Sequence, residues 1–146
     1  MSENATAPAD LKVIVFQLME KEYAIPVSQV RSIEKIQHIT RVPKAARFVR
    51  GVINLRGVVT PVIDLRSRFD LPEKENSEDT RIIIAGFNDM EVGLVVDAAN
   101  DVLDIPAEAV EAQPEVVGTV GADYISGVAK LEKRLLVLLN LEAVLN

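Results

Sequence analysis

Hydrophobic positions along the chain come in short runs separated by polar turns. From Lys12 to Leu18 (KVIVFQL) apolar and β-branched residues dominate, Glu20-Lys21-Glu22 interrupts them, and Tyr23 to Val27 (YAIPV) resumes the run. Short β-rich runs bounded by polar residues read as strands, so a hairpin is predicted here. Between Ser28 and Ile36 the residues Val30, Ile33 and Ile36 recur at every third position, which predicts a short helix that could give way to a strand. Pro43 and Gly51 bracket a basic segment. Beyond it Val52 to Leu55, the turn pair Arg56-Gly57, and Val58 to Ile63 predict a second hairpin. Asp64 is placed to cap one turn of helix running through Phe69. Leu71 to Thr80 (LPEKENSEDT) is charged, nearly free of apolar residues and contains Pro72, so it reads as a linker.

The second half then repeats the first. Arg81 to Phe87 (RIIIAGF) aligns with Lys12 to Leu18 at an offset of 69, and Glu91-Val92-Gly93-Leu94 falls on Glu22-Tyr23-Ala24-Ile25. Further on, Gly127 to Leu145 aligns with Gly51 to Phe69 at an offset of 76, with Leu131 on Leu55 and Asn140-Leu141 on Asp64-Leu65. Two ordered blocks point to an internal duplication. Short strands at close spacing leave small barrels or a sandwich as the architecture, here two units sharing a core and joined by short helices.

At 146 residues and 49% hydrophobic content the chain suffices for one domain with its own core. The formal charge of -6 opposes non-specific nucleic-acid binding. That charge is unevenly placed: residues 1–70 carry 11 basic and 7 acidic side chains, residues 71–146 carry 5 and 15. Opposite polarity of this kind can orient a protein between two partners. Cysteine is absent, which excludes a disulfide framework and a thiolate nucleophile and suits a reducing cytosol. Met1 to Asp10 is polar and reads as a disordered leader with no signal-peptide core. No apolar run approaches the roughly 20 residues that span a bilayer, so direct membrane insertion is not expected.

Little here suggests catalysis. His38 is the sole histidine, so no imidazole pair can bind a metal or share acid–base work. The glycines form neither a phosphate loop nor a dinucleotide fingerprint. Asp89 with Glu91, and Asp101 with Asp104, are acidic pairs that read as solvated turns. The basic cluster Arg41, Lys44, Arg47, Arg50 and Arg56 raises a nucleic-acid-binding barrel as a competing class, but only Phe48 among the aromatics accompanies it, and single-strand binding needs exposed stacking rings. A protein-docking face of arginines with apolar neighbours explains these residues better. A small hydrolase is the third class, and it lacks a recognisable nucleophile and base.

The run Gly51 to Arg66 (GVINLRGVVTPVIDLR) closely resembles the signature of the CheW coupling family. Glu22-Tyr23-Ala24-Ile25, Gly93-Leu94-Val95-Val96-Asp97 and Arg134-Leu135-Leu136-Val137-Leu138-Leu139-Asn140 resemble the family too, so the likeness runs from about Lys12 to the end. The resemblance implies a mainly β fold of two small five-stranded SH3-like barrels over a shared hydrophobic core, with lobe 1 at about 11–70, a linker at 71–80 and lobe 2 at about 81–146. It further implies a non-enzymatic, cofactor-free and metal-free adaptor, monomeric when isolated. Such an adaptor is cytoplasmic and is recruited to membrane-associated receptor arrays. Its implied partners are the regulatory domain of the histidine kinase CheA and the helical tip of chemoreceptors. A coupling module cut from a larger CheV-type regulator is the alternative. By the same resemblance Arg50 and Gly51 match the kinase-facing stretch, while Val30, Ile33 and Arg56 match the receptor and control surface; Arg47 and Phe48 join the expected kinase contact because they lie in a short segment, expected to be exposed, before the signature hairpin. Many relatives carry Glu where this chain has Ser32, and a serine cannot pair with the signature arginine as a carboxylate does. Glu34, on the same face if the segment is a strand, is one candidate substitute, and an acidic group on the receptor or kinase is the other.

Overall fold

A computed structural model of the chain describes residues 10–72, 75–112, 124–131 and 133–145. The expected leader, apart from Asp10, lies outside them. The runs KVIVFQL and YAIPV become β1 (Leu11–Leu18) and β2 (Lys21–Pro26), joined by Met19 and Glu20 in left-handed backbone conformations at φ 53° and 68°. Such two-residue turns match the twist of the strands they join. A 3-10 turn at Val27–Gln29 leads into β3 (Val30–Lys35), and β4 (Val49–Leu55) and β5 (Val58–Asp64) form the signature hairpin. Asp64 accepts from the Arg66 N–H at 3.0 Å and caps the single turn α1 (Leu65–Arg68) as expected. In the second half β6 (Arg81–Phe87) and β7 (Met90–Val96) repeat the first hairpin, again through a left-handed pair, Asn88 and Asp89. Then come β8 (Ala98–Ile105), β9 (Val110–Ala112), β10 (Ile125–Leu131), β11 (Arg134–Leu139) and α2 (Leu141–Leu145).

These strands build two SH3-like β lobes. One sheet has six strands, in the order β8-β1-β2-β11-β10-β9; the other has five, in the order β3-β6-β7-β5-β4. The lobes therefore do not follow the expected boundary at residues 71–80, nor does each have five strands. The hairpin β1–β2 joins the strands of the second half, and β6–β7 joins those of the first. Two parallel pairings make the exchange: Ala24 lies opposite Leu138, and Gly93 opposite Val62. Those pairs are equivalent under the offsets of 69 and 76, so the duplication holds in space while its halves trade hairpins. The short-range pattern marks each strand, but pairing across such distances leaves no local signal.

Burial on both faces explains the uninterrupted apolar runs. Along β6, Ile82 and Ile84 enter the five-stranded lobe's own core, whereas Ile83 and Ala85 face a core shared by the two lobes. On β11, Leu136 and Leu138 fill the six-stranded lobe while Val137 and Leu139 enter the shared core. Rings link that core in series: Phe16 stacks on Tyr23 at 5.8 Å, Tyr23 on Phe69 at 6.3 Å, and Phe69 meets Tyr124 at 5.1 Å. Burial raises the Tyr23 phenol pKa. Among the described residues no helix is long and apolar enough to cross a membrane.

Charge follows the lobes as built. The stretches 30–64 and 81–96 carry 8 basic and 4 acidic residues, and the described residues of 11–26 and 98–139 carry 5 and 6. One lobe is thus net basic and its neighbour net acidic.

Candidate protein-docking site

The signature run divides by direction along the β4–β5 hairpin. Gly51, Ile53, Thr60 and Val62 are buried, whereas Asn54, Arg56, Val58 and Val59 are exposed at the tip. Val58 and Val59 are 55% and 67% exposed, although neighbours on a strand ordinarily alternate faces. The tip projects past the lobe, so both side chains reach solvent. Leu55 pairs with Val58 across the turn. Arg56 and Gly57 take φ 52° and 86°, and the Gly57 N–H donates to Asn54 Oδ1 at 2.8 Å. From this turn the Arg56 guanidinium reaches Glu34 Oε2 at 3.4 Å. Glu34 is the carboxylate that faces the arginine in this chain.

β3 corrects the three-residue spacing read from the sequence. Its burial alternates, with Val30, Ser32 and Glu34 half-buried and Arg31, Ile33 and Lys35 exposed. Val30 packs against the shared core and Ile33 faces out. The two residues therefore do not form one helical face, because a strand turns adjacent odd and even positions apart. Ser32 Oγ is buried without a hydrogen-bond partner among the described residues.

The basic segment lies along the other side of the same hairpin. Arg47 pairs with Asp70, and Arg50 Nε reaches Asp64 Oδ2 at 3.2 Å. Arg41, Arg47 and Arg50 line one open cleft with Ile39 and Val49 beside them. Phe48 is not an exposed ring. It is half-buried beneath the Arg68 guanidinium, 4.3 Å from the ring centroid, and its carbonyl accepts from the Asp64 N–H at 2.8 Å. Gly51 likewise offers no contact group: it is buried, and a Cβ there would lie 2.1 Å from the Thr40 carbonyl oxygen. Its equivalent Gly127 approaches the Glu111 carbonyl in the same way, at 2.8 Å. Close backbone approach explains both glycines.

Between the lobes Arg66 donates from Nε to Asp97 Oδ1 at 2.9 Å and from Nη2 to Asp97 Oδ2 at 2.5 Å, and the Met19 N–H donates to Asp97 Oδ2 at 2.9 Å. The Asp97 hydrogen bond raises the Arg66 pKa. In the six-stranded lobe Arg134 donates to both Glu22 oxygens at 3.0 and 2.8 Å and lies 3.5 Å from Asp101. Its pKa is also raised, chiefly by the Glu22 bond. The sequence reading placed Asp97 and Arg134 in family-like runs without assigning them these bonds, and it missed Arg68. Opposite charges far apart in sequence carry no signal of their pairing.

Among the described residues no group of three or more His, Cys, Asp or Glu could hold a metal. The arrangement is one of contact surfaces: an exposed arginine and valines on a hairpin, a basic cleft beside it, and lobes of opposite charge.

Comparison with known proteins agrees with that character. The model of the CheW-like domain matches residues 12–146. "Chemotaxis protein CheW" of Bacillus subtilis (strain 168) is 52% identical over 135 residues, covering 92% of this chain and 86% of that protein. The crystal structure of scaffolding protein TtCheW from Thermoanaerobacter tengcongensis superposes with a TM-score of 0.85 at 34% identity, covering 90% of this chain and 89% of that one. "Chemotaxis protein CheV3" of Helicobacter pylori (strain ATCC 700392 / 26695) is 28% identical over 127 residues, which are 41% of its length.

Proposed function

The chain belongs to the family of CheW-like domains and is a chemotaxis adaptor; on that premise we propose that it bridges the regulatory domain of the histidine kinase CheA and the cytoplasmic tip of chemoreceptors. The observation that carries this reading is the hairpin tip, where Arg56, Val58 and Val59 stand exposed on a rigid two-strand support. Apolar side chains beside an arginine form the kind of patch that protein partners bury. The receptor tip docks against this face, with Ile33 and Arg56 as contacts and Val30 supporting them from the core side. The kinase docks on the adjoining cleft through Arg47 and Arg50. Phe48 and Gly51 shape that cleft from within. The adaptor itself turns over no substrate, works as a monomer in the cytoplasm and joins receptor arrays through its partners.

Separate titrations of the purified protein with a kinase regulatory domain and with a receptor-tip fragment test the reading. Arg47→Glu weakens the first binding and Arg56→Ala the second. If both variants bind both partners as the parent does, these faces are misassigned.

A further inference from the structure

We infer that Asn54 is the positioning residue for Arg56, holding the left-handed turn that aims the guanidinium at Glu34. The inference rests on the reading that Arg56 takes part in receptor control of the kinase.

Arg56 occupies an unusual place. Its φ of 52° lies in the left-handed region, where L side chains crowd the following carbonyl and where Gly, Asn or Asp is the ordinary occupant. Arginine has no short polar group with which to stabilise that conformation locally. The side chain is 73% exposed and approaches Glu34 at 3.4 Å. Something else must hold the turn. The Gly57 N–H belongs to the peptide plane that follows Arg56, so the 2.8 Å bond to Asn54 Oδ1 fixes the Arg56 ψ angle and thereby the direction of its side chain. Gly57 meets no atom within 4 Å at its missing Cβ position, so packing does not hold the tip.

The duplication supplies an equivalent hairpin. Leu131 pairs with Arg134 in the other lobe as Leu55 pairs with Val58, closing the equivalent hairpin. There the position of Asn54 is taken by Lys130, whose ammonium instead approaches Glu111 on β9 at 3.5 Å. A hairpin at this place in the lobe thus forms with a lysine in the position of Asn54. In the signature hairpin the amide accompanies an arginine in a left-handed turn.

The test compares Asn54→Ala, Asn54→Asp, Arg56→Ala and Asn54→Ala/Arg56→Ala in kinase assays reconstituted with receptor and kinase, each variant being checked for cooperative unfolding. Asn54→Ala is expected to lower receptor-dependent kinase activity by about three- to tenfold, the range of one lost neutral hydrogen bond. Asn54→Asp, which keeps the acceptor, restores it, and Asn54→Ala adds nothing in the Arg56→Ala background. Nitrogen-15 relaxation of the Arg56 guanidinium should report faster motion in Asn54→Ala even where unfolding is unchanged. The inference is overturned if Arg56→Ala is defective while Asn54→Ala is normal, if the two defects add in full, or if Asp fails to rescue. Normal signalling by Arg56→Ala would instead refute the role of Arg56 on which the inference rests.

Discussion

Arg66 grips Asp97 through both carboxylate oxygens, and because Asp97 also accepts the Met19 N–H, this one carboxylate ties the first hairpin of one lobe to the capped helix of the other. Both side chains are nearly buried. Removing one member strands the other in a poorly solvated site. Arg66→Ala should therefore destabilise the fold by about 3 kcal/mol, and Arg66→Ala/Asp97→Ala by less than the sum of the single losses. Urea unfolding of the three variants measures this, and strict additivity would show that the pair does not couple the lobes.

Two glycines of the signature should respond differently to alanine. At Gly51 a Cβ meets the Thr40 carbonyl at 2.1 Å, with φ 148° adding strain; at Gly57 the space is open and only φ 86° is unfavourable. Gly51→Ala should cost at least about 3 kcal/mol and Gly57→Ala about 1 kcal/mol. Thermal denaturation compares them, and equal costs would remove the close approach as the reason for Gly51.

The segment proposed to face the kinase separates surface from support. Arg47 is fully outside the core, so Arg47→Ala should change stability by less than about 0.5 kcal/mol while weakening binding of the kinase regulatory domain. Phe48 lies beneath Arg68, which also donates to the Val144 carbonyl at 2.9 Å and the Ala143 carbonyl at 3.3 Å in α2. Phe48→Ala should consequently cost about 1–3 kcal/mol of stability. Calorimetric binding set beside chemical unfolding decides this, and a stable Phe48→Ala that binds poorly would return the ring to the contact surface.

For Arg56 and Glu34, an exposed pair contributes only about 0–1 kcal/mol to folding. Arg56→Ala should unfold nearly as the parent does yet impair receptor control. The exchange Arg56→Glu/Glu34→Arg tests whether the pair itself matters: recovery beyond Arg56→Glu alone supports internal pairing, and no recovery assigns the arginine to a partner's acidic group.

Much of this was legible in the sequence, for physical reasons that also set the limits. KVIVFQL and RIIIAGF are strands buried on both faces, and the left-handed turn pairs that follow them, Met19-Glu20 and Asn88-Asp89, occupy equivalent positions. Phe48 and Tyr124, 76 residues apart, show how deep the repeat runs: the carbonyl of each accepts at 2.8 Å the N–H of its cap residue, Asp64 or Asn140. What the repeat could not disclose is that β1–β2 and β6–β7 change places, since either assignment buries the same side chains. Val30, Ile33 and Ile36 misled through chance spacing; in the strand Val30 shares its half-buried face with Ser32 and Glu34 while Ile33 faces out, and Arg56 meets Glu34 from the turn. The glutamate was one of two partners left open for the arginine, and the chain brings Glu34 and Arg56 to 3.4 Å. The Asn54 bond was not anticipated, because an asparagine three residues before a turn glycine has no distinctive pattern.

The central claim, that this chain couples receptor to kinase, is tested most directly by kinase autophosphorylation in membranes or assemblies reconstituted from receptor, CheA and this protein, with each component omitted in turn. Receptor-dependent activity should appear only when all three are present, and Arg56→Ala should reduce it. Equal activity with and without this protein would contradict the claim.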